Sequence, residues 1–383
     1  MGKDVKARNP GNIVVVGGGI VGVCTAYFLA ISPHRPKGST ITLVEANAVA
    51  CAASGNAGGF LARDWHPSET ASLSAMSFDL HRKLAEQFNG SKQWGYRAVD
   101  TLSVTIDAEE KPSKAVRSSV PWLPAEHLHA VKVLGSKQTT AQVQPRALVR
   151  FLAERFLREP NCSLVLGTVI ALSLQGGSPS SILISAQEGK GEDRILECDT
   201  VVLSPGPWLG RLARELLPSS SARSLACGGQ KAHTMIIRTR EPTTPHCLFI
   251  DLTLQDGSRS EPEVYPRADG TAVICGGSTE TPLPASSHQV EPEQAQLDKL
   301  RSQANAISPT LRDGVVETEC ACYLPISDRG RPIIGKVKGV EGVYVGGGLS
   351  CWGITQGPGT GLVLSEMILE GKAKTADVSR LAP

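Results

Sequence analysis

Val14-Val15-Val16-Gly17-Gly18-Gly19-Ile20-Val21-Gly22 joins a short β-branched run, Ile13–Val16, to a glycine-dense turn and an apolar segment, Ile20–Ala30, that stops before Pro33. The run predicts a buried strand and the segment a helix. Gly17, Gly19 and Gly22 carry the spacing G-x-G-x-x-G, and each has a physical duty. Gly17 turns the chain sharply, Gly19 lets a pyrophosphate approach the backbone, and Gly22 lets helix and strand pack closely. The helix start, at Ile20 and Val21, offers unpaired N–H groups and a positive dipole to phosphates. Thr40–Glu45 reads as the second strand of a β-α-β unit, whose crossover implies parallel pairing. Glu45 falls 23 residues after Gly22, where a carboxylate would accept ribose hydroxyls. Its neighbour is Ala46 rather than Arg, which disfavours a ligand with a 2′-phosphate.

Whole-chain properties narrow the class. The 383 residues carry 39 Lys+Arg against 37 Asp+Glu, a net charge of +2 that argues against a nucleic-acid partner. A chain this long divides into more than one compact unit. Asn12–His34 lacks Asp, Glu, Lys and Arg and is long enough to cross a bilayer, but Gly17–Gly19 interrupts it, so no membrane span is expected. The N-terminus carries Lys3, Lys6 and Arg8 without an apolar core, unlike a secretory signal, and Lys6 argues against myristoylation at Gly2. The ten cysteines include no C-x-x-C pair; Cys320 and Cys322 alone are close in sequence, so no metal site is expected. Scattered thiols fit a reducing compartment, and a cytoplasmic location is expected, with organellar import open if a transit peptide was trimmed.

Further along, helices are expected at Ser68–Asn89, Arg146–Arg158, Pro292–Ile307 and Pro358–Glu370. Strands are expected at Leu102–Ile106, Ser163–Ile170, Asp199–Ser204 and Gly342–Val345, with a hairpin over Ser173–Arg194 whose strands lie near Leu183 and Ile195. Between Gln230 and Gly277 strands follow one another without helices: His233–Arg238, Cys247–Leu252, Glu263–Pro266 and Thr271–Cys275. The pattern predicts an α/β plus α+β architecture, a discontinuous Rossmann-like dinucleotide domain with an inserted antiparallel-sheet substrate domain. The expected division assigns 1–90, 145–224 and 323–383 to the former, and 91–144 and 225–322 to the latter.

A second small-residue loop, Ala52-Ala53-Ser54-Gly55-Asn56-Ala57-Gly58-Gly59-Phe60, follows Glu45 and offers further N–H groups and two polar side chains to phosphate or ring atoms. It resembles the S-x-N-x-G loop of the D-amino-acid oxidase and glycine oxidase superfamily of FAD-dependent oxidoreductases. The resemblance covers nearly the whole chain. It continues through Leu166-Gly167-Thr168-Val169 and Val201-Val202-Leu203-Ser204-Pro205-Gly206-Pro207-Trp208. It is strongest in Gly330-Arg331-Pro332-Ile333-Ile334-Gly335, Gly342–Gly348 and Trp352-Gly353-Ile354, with Pro358-Gly359-Thr360-Gly361. The wording Ser350–Ile354 looks most like a eukaryotic, uncharacterised branch. The resemblance implies an FAD cofactor held by Gly17, Gly19, Ile20, Val21, Gly22, Glu45, Ala46, Ser54, Gly55, Asn56, Gly58, Gly59, Val169, Ser204, Gly206, Trp208, Arg331, Gly348, Gly353, Ile354 and Thr355. It also implies oxidation of a C–N bond in a small amine or amino-acid derivative by hydride transfer to flavin N5.

The chain departs from that pattern where substrate is held. Family oxidases use an Arg before a Pro to grip a carboxylate; here Leu324 precedes Pro325, no Arg stands near Cys351 or Trp352, and Leu349 replaces a frequent His. Substitute candidates are Arg267 and Arg331, with Tyr265 and Trp352 as aromatic pocket walls and Lys231 and His233 as candidates for reactivity near the flavin. Cys322 matches the position at which sarcosine oxidases attach flavin covalently. A regulatory or trafficking FAD-binding protein and a nicotinamide-dependent dehydrogenase are the alternatives.

Overall fold

The computed structural model describes residues 10–187 and 191–383. The basic N-terminal stretch with Gly2, Lys3, Lys6 and Arg8, and residues 188–190 within the expected hairpin span, lie outside the described residues.

Asn12–Val16 is buried on both faces, as a β-branched run between parallel neighbours should be. It pairs in parallel with Thr40–Glu45 on one side and Thr200–Leu203 on the other. Cys162–Gln175 extends the sheet beyond Thr40–Glu45, and Val343–Gly347 extends it beyond Thr200–Leu203, both in parallel. Ser178–Ala186 and Arg194–Glu197 close one edge and Ile333–Lys336 the other, all three antiparallel. The hairpin is therefore present, but its inner strand is the continuation of Cys162–Gln175, which turns at Gly176 and Gly177.

The first helix, Ile20–Ile31, is buried from Ile20 to Ala30. It is sandwiched between Pro145–Leu157 and the C-terminal helix, Gly353–Glu370. The latter approaches so closely that a Cβ on Gly361 would stand 2.6 Å from Cys24 backbone and side chain. That helix begins at Gly353, five residues earlier than the sequence suggests, and Pro358 lies inside it. Proline deprives the Ile354 carbonyl of its helical donor. Two side chains of the Ser68–Phe88 helix repair the gap. His81 Nε2 bonds the Ile354 carbonyl at 2.8 Å, and Ser77 Oγ donates to Thr355 O at 2.6 Å while accepting from Gly359 N at 2.8 Å.

His81 is fully enclosed, and burial pulls its pKa from 6.5 down to about 4 against the opposing carbonyl contacts. The unfolded chain binds this proton more readily, so stability is complete above pH 6.5 and declines as pH falls toward 4. The shift corresponds to roughly 3 kcal/mol. Urea midpoints measured from pH 7 to 4.5 should fall more steeply for the native protein than for His81→Gln, whose amide can still donate but does not titrate. Parallel slopes would remove His81 as the source.

The second sheet runs Val315–Ser327, Cys227–Arg238, Thr271–Thr279, Glu263–Pro266, His246–Thr253, Asp100–Asp107, Leu128–Gly135, with Arg259–Ser260 attached to His246–Thr253. It is not purely antiparallel: Asp100–Asp107 pairs in parallel with His246–Thr253. The chain passes through the first sheet between these strands, and a long crossover permits parallel pairing. Leu128–Gly135, Ile333–Lys336 and the 13-residue Val315–Ser327 add to the expected strands. Phe60–Ala62, Thr140–Gln142 and Arg97–Ala98 form a small third sheet. Among the described residues, no helix is long and apolar enough to cross a membrane.

Candidate functional site: a cofactor cleft walled by both sheets

A cavity opens at the carboxyl ends of Asn12–Val16 and Thr40–Glu45, where the strand order reverses and open parallel sheets bind ligands. Gly17, Gly19, Ile20 and Val21 form its floor. The first helix has no side-chain cap from its own N-cap residue and no acid in its first turn, and its N-terminus faces the cavity with its positive dipole end. Gly22 lies outside the wall and does the packing duty expected of it. A Cβ there would stand 1.9 Å from Gly17 O.

Glu45 braces the turn as well as facing the cavity. Its Oε2 accepts from Gly18 N at 2.7 Å and its Oε1 from Asn47 N at 2.9 Å. Ser54 Oγ accepts from Ile20 N at 2.9 Å, tying the second small-residue loop to the helix start. Ala46, Val169, Ser204, Gly206 and Trp208 also line the cavity, as do Gly353 and Ile354 at the uncapped start of the C-terminal helix.

Several of the expected contact residues lie outside the lining of this cavity. Gly55 and Gly59 permit close approach to the Ala50 and Val143 carbonyls, at 1.9 and 2.1 Å from a would-be Cβ, and Gly58 lies against the Tyr265 ring. Asn56 donates to Ala321 O and accepts from Arg146 Nη2. Gly348 faces Ser327, Thr355 is buried toward Phe60 O, and Arg331 is exposed away from the cavity. Lys231 is buried in an ion pair with Glu293 at 2.9 Å, and His233 accepts from Glu293 N.

The sequence gives no sign of a strap from the second sheet that crosses the cavity mouth at Ala285–Ser287. Trp208 Nε1 and Tyr323 Oη donate to the Pro284 and Pro282 carbonyls, both at 2.8 Å. Asn47 Nδ2 donates to Ser287 Oγ at 2.6 Å and to Ser286 Oγ at 3.0 Å. Ordinary polar residues make these contacts, so no motif announces them.

Cys322 and Leu324, on Val315–Ser327, complete the wall with Leu349 and Cys351. Burial, and secondarily Cys320, pushes the Cys322 thiol up to about 12. A thiol rather than thiolate at neutral pH is a poor nucleophile. Acid precipitation of the yellow protein should therefore leave the flavin in the supernatant; flavin in the pellet, lost in Cys322→Ser, would establish a tether.

The fit to a dinucleotide is direct: two helix starts, a glycine turn a Cβ would fill, and a carboxylate at the second strand's end all border one cavity. Among the described residues no group of His, Cys, Asp and Glu could hold a metal. Residues 12–367 match the family of FAD dependent oxidoreductases, and the chain belongs to that family. Its cofactor is FAD, which replaces the nicotinamide alternative. The chain is 35% identical to an oxidoreductase of Schizosaccharomyces pombe over 98% of each chain, and 27% identical to a glycine oxidase of Pseudomonas putida over 97% of this chain and 98% of that one. The solved glycine oxidase of Bacillus cereus superposes with a TM-score of 0.74 at 20% identity, covering 95% of this chain and 96% of that one.

Proposed function

We propose that the protein oxidises a C–N bond of a small amine or amino-acid derivative. The division of labour follows the expected domains: residues 1–90, 145–224 and 323–383 hold FAD, and 91–144 and 225–322 present the substrate. The observation carrying this reading is an aromatic cluster beside the cofactor cavity, in which Phe249 and Tyr265 of the second sheet meet Phe60, Trp65 and Trp352. Phe60 stacks on Tyr265 at 5.6 Å between ring centres, Phe249 and Trp65 each lie 5.3 Å or less from Phe60, and Trp65 meets Trp352 at 6.5 Å. Trp352 stands between Cys351 and Gly353 of the cavity wall, and Gly58, against Tyr265, follows Ala57 of that wall.

When bound, FAD supplies the acceptor for the two electrons released as a C–N single bond becomes an imine. The chain's residues bind, orient and exclude water around that bond. Arg267 is the candidate for gripping a carboxylate: it is half-buried, and its Nε is enclosed without an acceptor. Anaerobic mixing of the holo-protein with a panel of amines and imino acids tests the reading. Loss of the flavin's visible absorbance with at least one member is the expected result. No change across the panel favours the FAD-binding regulatory role instead.

A further inference from the structure

Glu263 occupies an unusual place beside the aromatic cluster. It sits opposite Phe249 on one neighbouring strand and Cys275 on the other. Its Oε2 accepts from Tyr265 Oη and from the Cys275 thiol. Its Oε1 takes no hydrogen bond among the described residues, which leaves it as the acceptor open to a ligand. Among the described residues no lysine, arginine or histidine pairs with it: the groups facing it are Tyr265, Cys275, Cys247 and Cys351, none of them a cation. Desolvation consequently pushes its carboxyl up, with Tyr265 and Cys275 opposing.

A buried acid without a cation is costly, and the protein leaves that cost in place. Phe249 faces it across the strand pair and Tyr265 donates to it; Phe60 stacks on Tyr265 at 5.6 Å, Trp65 lies 5.3 Å from Phe249, and Trp352 6.5 Å from Trp65, all but Tyr265 half-buried. Aromatic ring faces attract cations, and more strongly where water is excluded. A carboxylate oxygen at the edge of a cluster of aromatic rings is complementary to an ammonium group bearing apolar substituents. It is poorly suited to a carboxylate, which would meet like charge and the negative faces of the rings.

We propose that Glu263 and the rings of Phe60, Trp65, Phe249 and Trp352 form the recognition site for a substrate's positive charge, so that the substrate class is an alkylated or aromatic ammonium compound selected by its cation rather than by a carboxylate. This rests on the amine-oxidation reading above and deepens it. Arg267 lies two residues beyond Tyr265 and acts chiefly with Asp269, with no ion pair to Glu263 among the described residues.

The probe is benzyltrimethylammonium, which has the cation and ring but no N–H and forms no imine, set against phenylacetate, of similar shape and opposite charge. Binding to the holo-protein is followed by tryptophan fluorescence and by the flavin spectrum. The ammonium should bind at least ten-fold more tightly than phenylacetate. Glu263→Gln, which preserves the acceptor for Tyr265, should lose at least ten-fold for the ammonium at unchanged FAD content. Should that variant not fold, Trp65→Leu reads the same site and should lose about five-fold for the ammonium only. Equal or tighter binding of phenylacetate, or ammonium binding indifferent to both substitutions, overturns the proposal. Benzylamine and N-methylbenzylamine separate the two readings. Ammonium binding without flavin bleaching by any amine sinks the oxidation and leaves the site; bleaching by amino acids alone sinks the site and leaves the oxidation.

Discussion

Alanine at Gly22 is expected to abolish FAD retention and to lower stability by about 3 kcal/mol or more. The added Cβ would lie 1.9 Å from Gly17 O, 2.7 Å from Ser204 Oγ and 3.1 Å from Gly17 C. Two of those atoms are backbone of the turn that presents the N–H groups, so relief of the clash must move the turn itself. Ser204 is no easier to displace, because its Oγ donates to Val16 O at 2.9 Å and its N to the same carbonyl at 2.8 Å. Gly19→Ala supplies the control. There the Cβ meets only the Ser54 side chain, with Oγ at 3.0 Å, so relief costs at most the hydrogen bond that Oγ accepts from Ile20 N. This variant should lose little of its thermal midpoint while binding FAD more weakly, because the methyl occupies cavity space. Flavin per polypeptide and the thermal midpoint of each variant decide it. A Gly22→Ala protein with native flavin content and native midpoint would show that the turn tolerates a side chain.

Glu45→Ala should weaken FAD binding by about 100-fold, with a smaller loss of stability. The carboxylate closes two charge-assisted hydrogen bonds, to Gly18 N and Asn47 N, each worth roughly 1.5–3 kcal/mol. Losing them frees the turn and also loosens Asn47, whose amide holds the strap at Ser286 and Ser287. The effect on affinity follows from every 1.4 kcal/mol costing about ten-fold. Glu45→Gln keeps one acceptor and should fall between, near ten-fold. Recovery of free-flavin fluorescence on dilution gives the dissociation constants. An alanine variant within three-fold of native affinity would mean that the carboxylate neither braces the turn nor faces the nucleotide.

How much of this was legible before the coordinates depended on distance along the chain. The turn at Gly17–Gly19, the helix after it and Glu45 are local, and period and spacing expose them. The start of the C-terminal helix was misjudged because proline normally ends helical pairing, and only packing reveals that His81 and Ser77 replace the missing bonds. Val315–Ser327 escaped notice because its first half is solvent-facing on both sides and its second half is mostly enclosed, which leaves no alternation to read. The aromatic cluster combines residues near 60, 250, 265 and 352, which topology alone assembles. Glu263 resembled any outward strand acid until its neighbours were known.

The order of strands around Asn12–Val16 also governs how the protein is made. Its partner Thr200–Leu203 and the next strand, Val343–Gly347, are far apart in synthesis, and the C-terminal helix that covers Ile20–Ile31 comes later still. At about 5–20 residues per second, some 320 residues of translation leave the most apolar helix of the chain half-clothed for roughly 15 seconds to a minute. The nascent chain is therefore a natural client for chaperones. Chains truncated before Val343 lack Gly346, Gly353 and Ile354 from the cavity wall, so FAD binding reports on synthesis past that point.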